Sequence, residues 1–268
     1  MTNRQISQMV RMVAGALLMG LLVGCVTTTD SRFSREADEN EALQNYIQLA
    51  TAYVAQENYE RARVHLERAL EIEPNSAPAH AVKGLIMQRE GEEELADSSF
   101  RKALSIDPGY TRGRVYYAAF LYGEGQYERA RDEFARAAAD TSYPDRASVF
   151  YNLGRTEQRL GNSEAAADAF KRAVELGRGD ARALLALSST LVEAGKYGEA
   201  AYYYDRLMGL MARSKQISHS PESLWTGIRI ARFQGDQNRE SSLALLLRNQ
   251  YPNSDQYQKY KALMSDDK

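Results

Sequence analysis

This chain of 268 residues has a single cysteine, three histidines and one tryptophan. One thiol excludes any internal disulfide, and with so few histidines it also excludes a Cys-rich zinc site. His65, His80 and His219 are scattered and form no H-E-x-x-H pair. No serine sits in a G-x-S-x-G elbow, and Gly195-Lys196 lacks the flanking residues of a phosphate loop. Glu92, Glu93 and Glu94 open a helix, where negative charge suits the N-terminus, and do not make a metal site. The expectation is a protein with no enzymatic activity, no cofactor, no metal and no small-molecule substrate. An excess of positive charge is missing too: 34 Lys and Arg face 36 Asp and Glu, a net of −2. That leaves no surplus of cations for a phosphate backbone, so nucleic acid is not expected as a partner. Six prolines and 18 glycines are too few for a fibrous chain, while 44% hydrophobic and 26% charged residues are ordinary globular values.

What is present begins at the N-terminus. Residues 1–11 carry Arg4 and Arg11 and no acid, and residues 12–24 (MVAGALLMGLLVG) are uninterruptedly apolar or small. Thirteen helical residues reach only about 20 Å, short of a hydrocarbon core of roughly 30 Å, which favours a processed signal over a permanent span. Leu22-Val23-Gly24-Cys25 resembles the bacterial lipobox. That resemblance implies cleavage after residue 24 and acylation of Cys25, with acyl chains such as palmitate. Removal of residues 1–24 takes away two cations and no acid, leaving a net of −4. Val26-Thr27-Thr28 follows the cysteine in place of the Asp that retains lipoproteins in the inner membrane, so the expected location is the periplasmic face of the outer membrane. Residues 25–40 are expected to be the acylated Cys and a flexible tether, because 27–40 (TTTDSRFSREADEN) shows no apolar period.

From residue 41 the chain repeats. Ala62, Ala96, Ala130, Ala166 and Ala200 are 34, 34, 36 and 34 residues apart. A period of 34 belongs to the tetratricopeptide helical hairpin. Its first helix shows a small column at Ala50, Gly84, Ala118, Gly154 and Ser188. Four residues earlier lies a bulky column: Tyr46, His80, Arg114, Phe150 and Leu184, in which His80 and Arg114 fit poorly. A third column reads Tyr53, Met87, Leu121, Glu157 and Leu191, broken only at Glu157. In the second helix each repeat alanine is followed four residues later by Leu66, Phe100, Phe134, Phe170 or Tyr204. Small, large and small residues at i, i+4 and i+7 make a stripe that docks into neighbouring helices. Gly91, Gly125, Gly161 and Gly195 mark the turns within hairpins, with Glu57-Asn58 in the first. These columns specify a core.

The sequence therefore predicts an all-α fold, a superhelix of about six hairpins: five repeats over 41–210, a polar insertion at 211–221, a sixth, degenerate repeat at 222–252 whose bulky column falls on Leu224 or Trp225, and a capping helix with tail at 253–268. Helix A of each hairpin lines the concave face. Ile47, Val54, Leu85, Val115, Tyr122 and Tyr151 are larger and more apolar there than solvation needs, which predicts a groove for a protein partner.

Three strings carry a closer likeness: Tyr143-Pro144-Asp145-Arg146 leading to residues 149–154 (VFYNLG), Tyr203-Tyr204-Asp205, and 224–232 (LWTGIRIAR) followed by Gln250-Tyr251-Pro252-Asn253-Ser254. With the lipobox and the hairpins, the chain resembles the type IV pilus pilotin lipoproteins, also described as pilus biogenesis and stability proteins. The resemblance implies an outer-membrane lipoprotein that binds the type IV pilus secretin subunit and promotes its outer-membrane localisation and assembly into multimers. Lipobox and hairpins would serve equally an envelope adaptor lipoprotein that scaffolds a peptidoglycan enzyme or protease; loss of twitching motility on deletion separates the two.

Overall fold

The computed structural model describes residues 32–177, 180–214 and 216–266. Cys25 and the expected signal peptide lie outside the described residues. Every regular element among the described residues is an α-helix. In chain order they pair as α1 (Arg32–Ala55) with α2 (Tyr59–Ile72), α3 (Ala77–Glu90) with α4 (Glu93–Ile106), α5 (Thr111–Gly123) with α6 (Tyr127–Ala139), α7 (Arg146–Arg159) with α8 (Ser163–Leu176), α9 (Ala181–Glu193) with α10 (Tyr197–Arg213), and α11 (Pro221–Gln234) with α12 (Gln237–Gln250); α13 (Asp255–Asp266) follows. The chain divides into two units, residues 1–45 and 46–268. The described part of the first is only the beginning of α1, and the second carries the stacked hairpins.

Two boundaries differ from expectation. Helix α1 begins at Arg32, inside the segment expected to be a tether. That stretch has no apolar period, but it has no Gly or Pro either, and the helical propensity of Glu and Ala sustains the turns. At the other end, α10 runs to Arg213, three residues into the expected insertion, because Leu210 and Met211 pack against the core of the fifth repeat.

The close approach of helices A and B shows at the glycines of the small column. A Cβ on Gly84 would stand 2.7 Å from the ring of Phe100, and one on Gly154 would stand 2.7 Å from Phe170. Both rings are fully buried. Gly227 repeats the arrangement, with a Cβ that would strike the Tyr204 hydroxyl and come within 2.8 Å of Leu243. Gly227 is thus the small residue of the sixth hairpin, and the position four before it is Ser223, which corrects the expectation of Leu224 or Trp225. Ser223 is used to start α11 instead: it accepts from the Ser220 N–H at 2.9 Å while Ser220 Oγ accepts from the Ser223 N–H at 3.1 Å, a capping box. Among the described residues the Tyr204 hydroxyl is buried without a partner, and burial pushes its pKa up to about 12.

The poor fits in the columns have polar explanations. His80 Nε2 lies 3.0 Å from the Pro74 carbonyl, and the Arg114 guanidinium donates to the Pro108 carbonyl and pairs with Glu133. Each side chain grips the proline that ends the preceding helix B, six residues back. Glu157 is buried, and its carboxylate accepts from Asn162 Nδ2 at 2.8 Å. Between the second and third repeats, Tyr117 donates to Asp97 at 2.7 Å and Arg129 reaches both; burial, with Asp97 beside it, raises the Tyr117 pKa. The last hairpin is covered by Tyr257, Tyr260 and Leu263 of α13, which pack on Leu224, Trp225, Ile228 and Leu247. Open solenoids require such a cap.

Candidate partner-binding groove

Helix A must show one face to its own helix B, and the face turned away is free for a partner. The structure distributes the six expected groove residues unevenly. Leu85, Val115 and Tyr122 are half-buried and pack against one apolar cluster built on Phe100, Tyr117, Leu121 and Phe134. Tyr151, also half-buried, belongs to the next cluster, with its ring 5.7 Å from that of Phe170 and the Arg182 guanidinium 5.6 Å above it. Ile47 is half-buried and shares in neither cluster. Val54 is 8% exposed and offers a partner almost no surface, a correction to its expected place in the groove. It stands one helical turn beyond fully buried Ala50 and so lies on the same inward face.

Around Tyr122 the site acquires shape. Ala119 and Tyr122 of α5, Phe134 of α6, and Asn152 and Arg155 of α7 line a cavity of about 190 Å³. The Tyr122 ring meets Tyr127 edge-on at 5.4 Å. The Arg155 guanidinium lies 4.9 Å over the Tyr122 ring, and both Arg155 and Arg159 donate to the Tyr122 hydroxyl, at 3.2 and 3.4 Å. Arg159 also lies 5.9 Å over Tyr127. Apolar positions alone do not reveal these arginines as site residues. The usable signal is their i, i+4 spacing on a helix with no acid three or four residues away on either side.

A second concavity, about 480 Å³, is lined by Tyr197, Trp225, Arg229, Arg232, Phe233 and Leu263. Phe233 is 64% exposed and stacks on Tyr197 at 4.4 Å. Arg229 is matched there by Glu193, and Arg232 by Glu240. Among the described residues, no group of three His, Cys, Asp or Glu side chains could hold a metal ion, and no helix is long and apolar enough to cross a membrane.

Family models of the tetratricopeptide repeat match residues 43–86, 77–110, 111–179 and 151–210. The type IV pilus assembly protein PilF of Pseudomonas aeruginosa is 36% identical over 242 residues, which cover 90% of this chain and 94% of that protein. A solved structure of Pseudomonas aeruginosa PilF superposes with a TM-score of 0.74 at 35% identity, covering 84% of this chain and 99% of that one. The structure of PilW, described as a widely conserved type IV pilus biogenesis factor, superposes with a TM-score of 0.65 at 26% identity, covering 81% and 97%.

Proposed function

The chain belongs to the tetratricopeptide-repeat family that includes the type IV pilus assembly protein PilF, and from that premise we propose that it serves pilus biogenesis as a pilotin: an outer-membrane lipoprotein that holds the secretin subunit and promotes its multimerisation. The observation that carries this reading is the match to PilF along 90% of the chain, which exceeds what a shared repeat requires. Two features of the chain support the finer parts. The lipobox-like Leu22-Val23-Gly24-Cys25 supplies an acylation site, and acyl chains contribute about 0.8 kcal/mol per buried CH₂ toward anchoring. The helix-A residues Leu85, Val115, Tyr122 and Tyr151 leave part of their apolar surface open, as a groove for a chain segment needs.

The mechanism uses no bond chemistry. The anchor at Cys25 carries the secretin segment bound in the groove to the periplasmic face of the outer membrane. Confinement at that surface raises the effective concentration of subunits and so favours their oligomerisation. In the test, Cys25→Ala leaves the secretin monomeric or in the inner membrane, and Leu85→Glu or Tyr122→Glu lowers secretin co-purification while the helical circular-dichroism signal stays intact. Normal secretin multimers in the Cys25→Ala strain would remove the anchor from the mechanism. Undiminished co-purification with both groove variants would place the interface elsewhere.

A further inference from the structure

The groove reading above identifies a surface, and the arginines at its centre specify what it takes. Arg155 and Arg159 stand one helical turn apart on α7, where like charges repel. Arg63 with Glu90 and Arg172 with Glu175 are matched, while Arg155 and Arg159, like exposed Arg89, Arg206 and Arg248, have no described carboxylate within ion-pair distance. Both guanidinium groups turn instead to one neutral acceptor, the Tyr122 hydroxyl, at 3.2 and 3.4 Å. An anion between them would relieve the repulsion and replace two long contacts with shorter, charge-assisted hydrogen bonds. This pair sits in a chain whose net charge is negative, so it is a local feature and not part of a general positive surface.

The cavity beside the pair narrows the choice of anion. It is lined by Ala119, the Tyr122 ring, buried Phe134, Asn152 and Arg155. At about 190 Å³ it falls below the roughly 300–1,000 Å³ of small-molecule sites but admits one aliphatic side chain. We infer that this site binds an extended partner segment in which an Asp or Glu carboxylate, held by Arg155 and Arg159, adjoins a small apolar side chain that enters the Ala119–Phe134 cavity. The inference rests on the groove reading and adds the chemistry of the segment.

The test uses the full-length chain in detergent and two labelled probes, the peptide acetyl-Gly-Ser-Val-Asp-Val-Ser-amide and its Asp→Asn twin, with binding read by fluorescence anisotropy at low salt. The aspartate peptide is expected to bind about tenfold more tightly, the range of a charge-assisted over a neutral contact. The double variant Arg155→Gln/Arg159→Gln removes that preference while its helicity is unchanged. Equal binding of the two peptides, no binding of either, or a preference that survives the double variant overturns the inference. So does displacement of the aspartate peptide by an equal concentration of inorganic phosphate that is lost in the double variant, which would make the occupant a phosphate. Secretin co-purification separates this inference from its premise: loss with Leu85→Glu but not with the double arginine variant sinks the carboxylate site alone, and no loss with either sinks the groove.

Discussion

Adding one methyl group at Gly154 should destabilise the stack, whereas adding it at Gly209 should stabilise it. A Cβ on Gly154 would lie 2.7 Å from two ring carbons of Phe170 and 3.0 Å from a third. Carbon atoms pack best at about 3.5–4.0 Å, so the ring would have to retreat by nearly 1 Å. It has nowhere to go, being fully buried with the Tyr151 ring 5.7 Å away. Overpacking of this kind costs about 1–3 kcal/mol, against which Ala regains about 0.5–1 kcal/mol over Gly inside a helix. Gly154→Ala should therefore lose up to about 2.5 kcal/mol. Gly209 lies inside α10, and the nearest atom to its Cβ would be Arg213 Nη2 at an ordinary 3.6 Å. Gly209→Ala should gain about 0.5–1 kcal/mol. Urea unfolding of the two variants, followed by circular dichroism with the slope checked for constancy, reads the difference. Adding Phe170→Leu to Gly154→Ala should recover part of the loss, because the methyl strikes the ring edge. If Gly154→Ala proved as stable as Gly209→Ala, the close approach of helices A and B would not be what selects the small column.

Three further outcomes follow from single sites. Glu57 holds a left-handed backbone at φ 59°, where the other hairpins use glycine, so Glu57→Gly should raise the urea midpoint by the equivalent of about 0.5–1 kcal/mol; a lower midpoint would show that the Glu57 side chain matters more than its backbone. Asn162→Ala should cost about 1–3 kcal/mol by leaving the buried Glu157 carboxylate without its donor, and Glu157→Leu in the same chain should recover most of it; additive losses in that double-mutant cycle would break the argument. Burial lowers the His219 pKa below its usual 6.5, so the folded chain holds that proton less well than the unfolded one. The stability linked to His219 is accordingly full above about pH 6.5 and declines as pH falls below it. His219→Gln should flatten the stability profile on the acid side of about pH 6.5, and an unchanged slope would assign the pH dependence to other groups.

The hairpins were legible in the sequence because packing repeats: a small residue wherever two backbones meet, and a large one sixteen positions later to fill the space. Gly84 with Phe100 and Gly154 with Phe170 follow that rule and were readable as columns. Reading failed where a residue serves a purpose other than packing. Ser223 occupies a bulky position because α11 needs a cap, so a pattern of sizes alone moved the frame to its neighbours. Helix α1 begins early because its first turns carry no apolar period to detect. In the groove, side-chain size identified Tyr122 but not Arg155 or Arg159, since what marks those two is their convergence on the Tyr122 hydroxyl from the next repeat, a contact that sizes in one column do not encode. Val54 misled for the opposite reason: a valine facing solvent and one facing the core look alike in a string of letters.

The contact between Gly227 and the Tyr204 hydroxyl sets a rule for how relatives of this chain can diverge. The two positions are locked as a pair, since any side chain at 227 occupies the space of that oxygen. Removing that oxygen is not enough, because a Cβ at 227 would still stand 2.7 Å from Tyr204 Cζ and 2.8 Å from Leu243 Cδ1, so smaller residues have to arrive at 204 and 243 before anything larger than glycine is tolerated at 227. Loss of the hydroxyl alone is free, because among the described residues it has no hydrogen-bond partner to lose. Aligned sequences of the family would therefore show tyrosine or phenylalanine at the first position only together with glycine at the second.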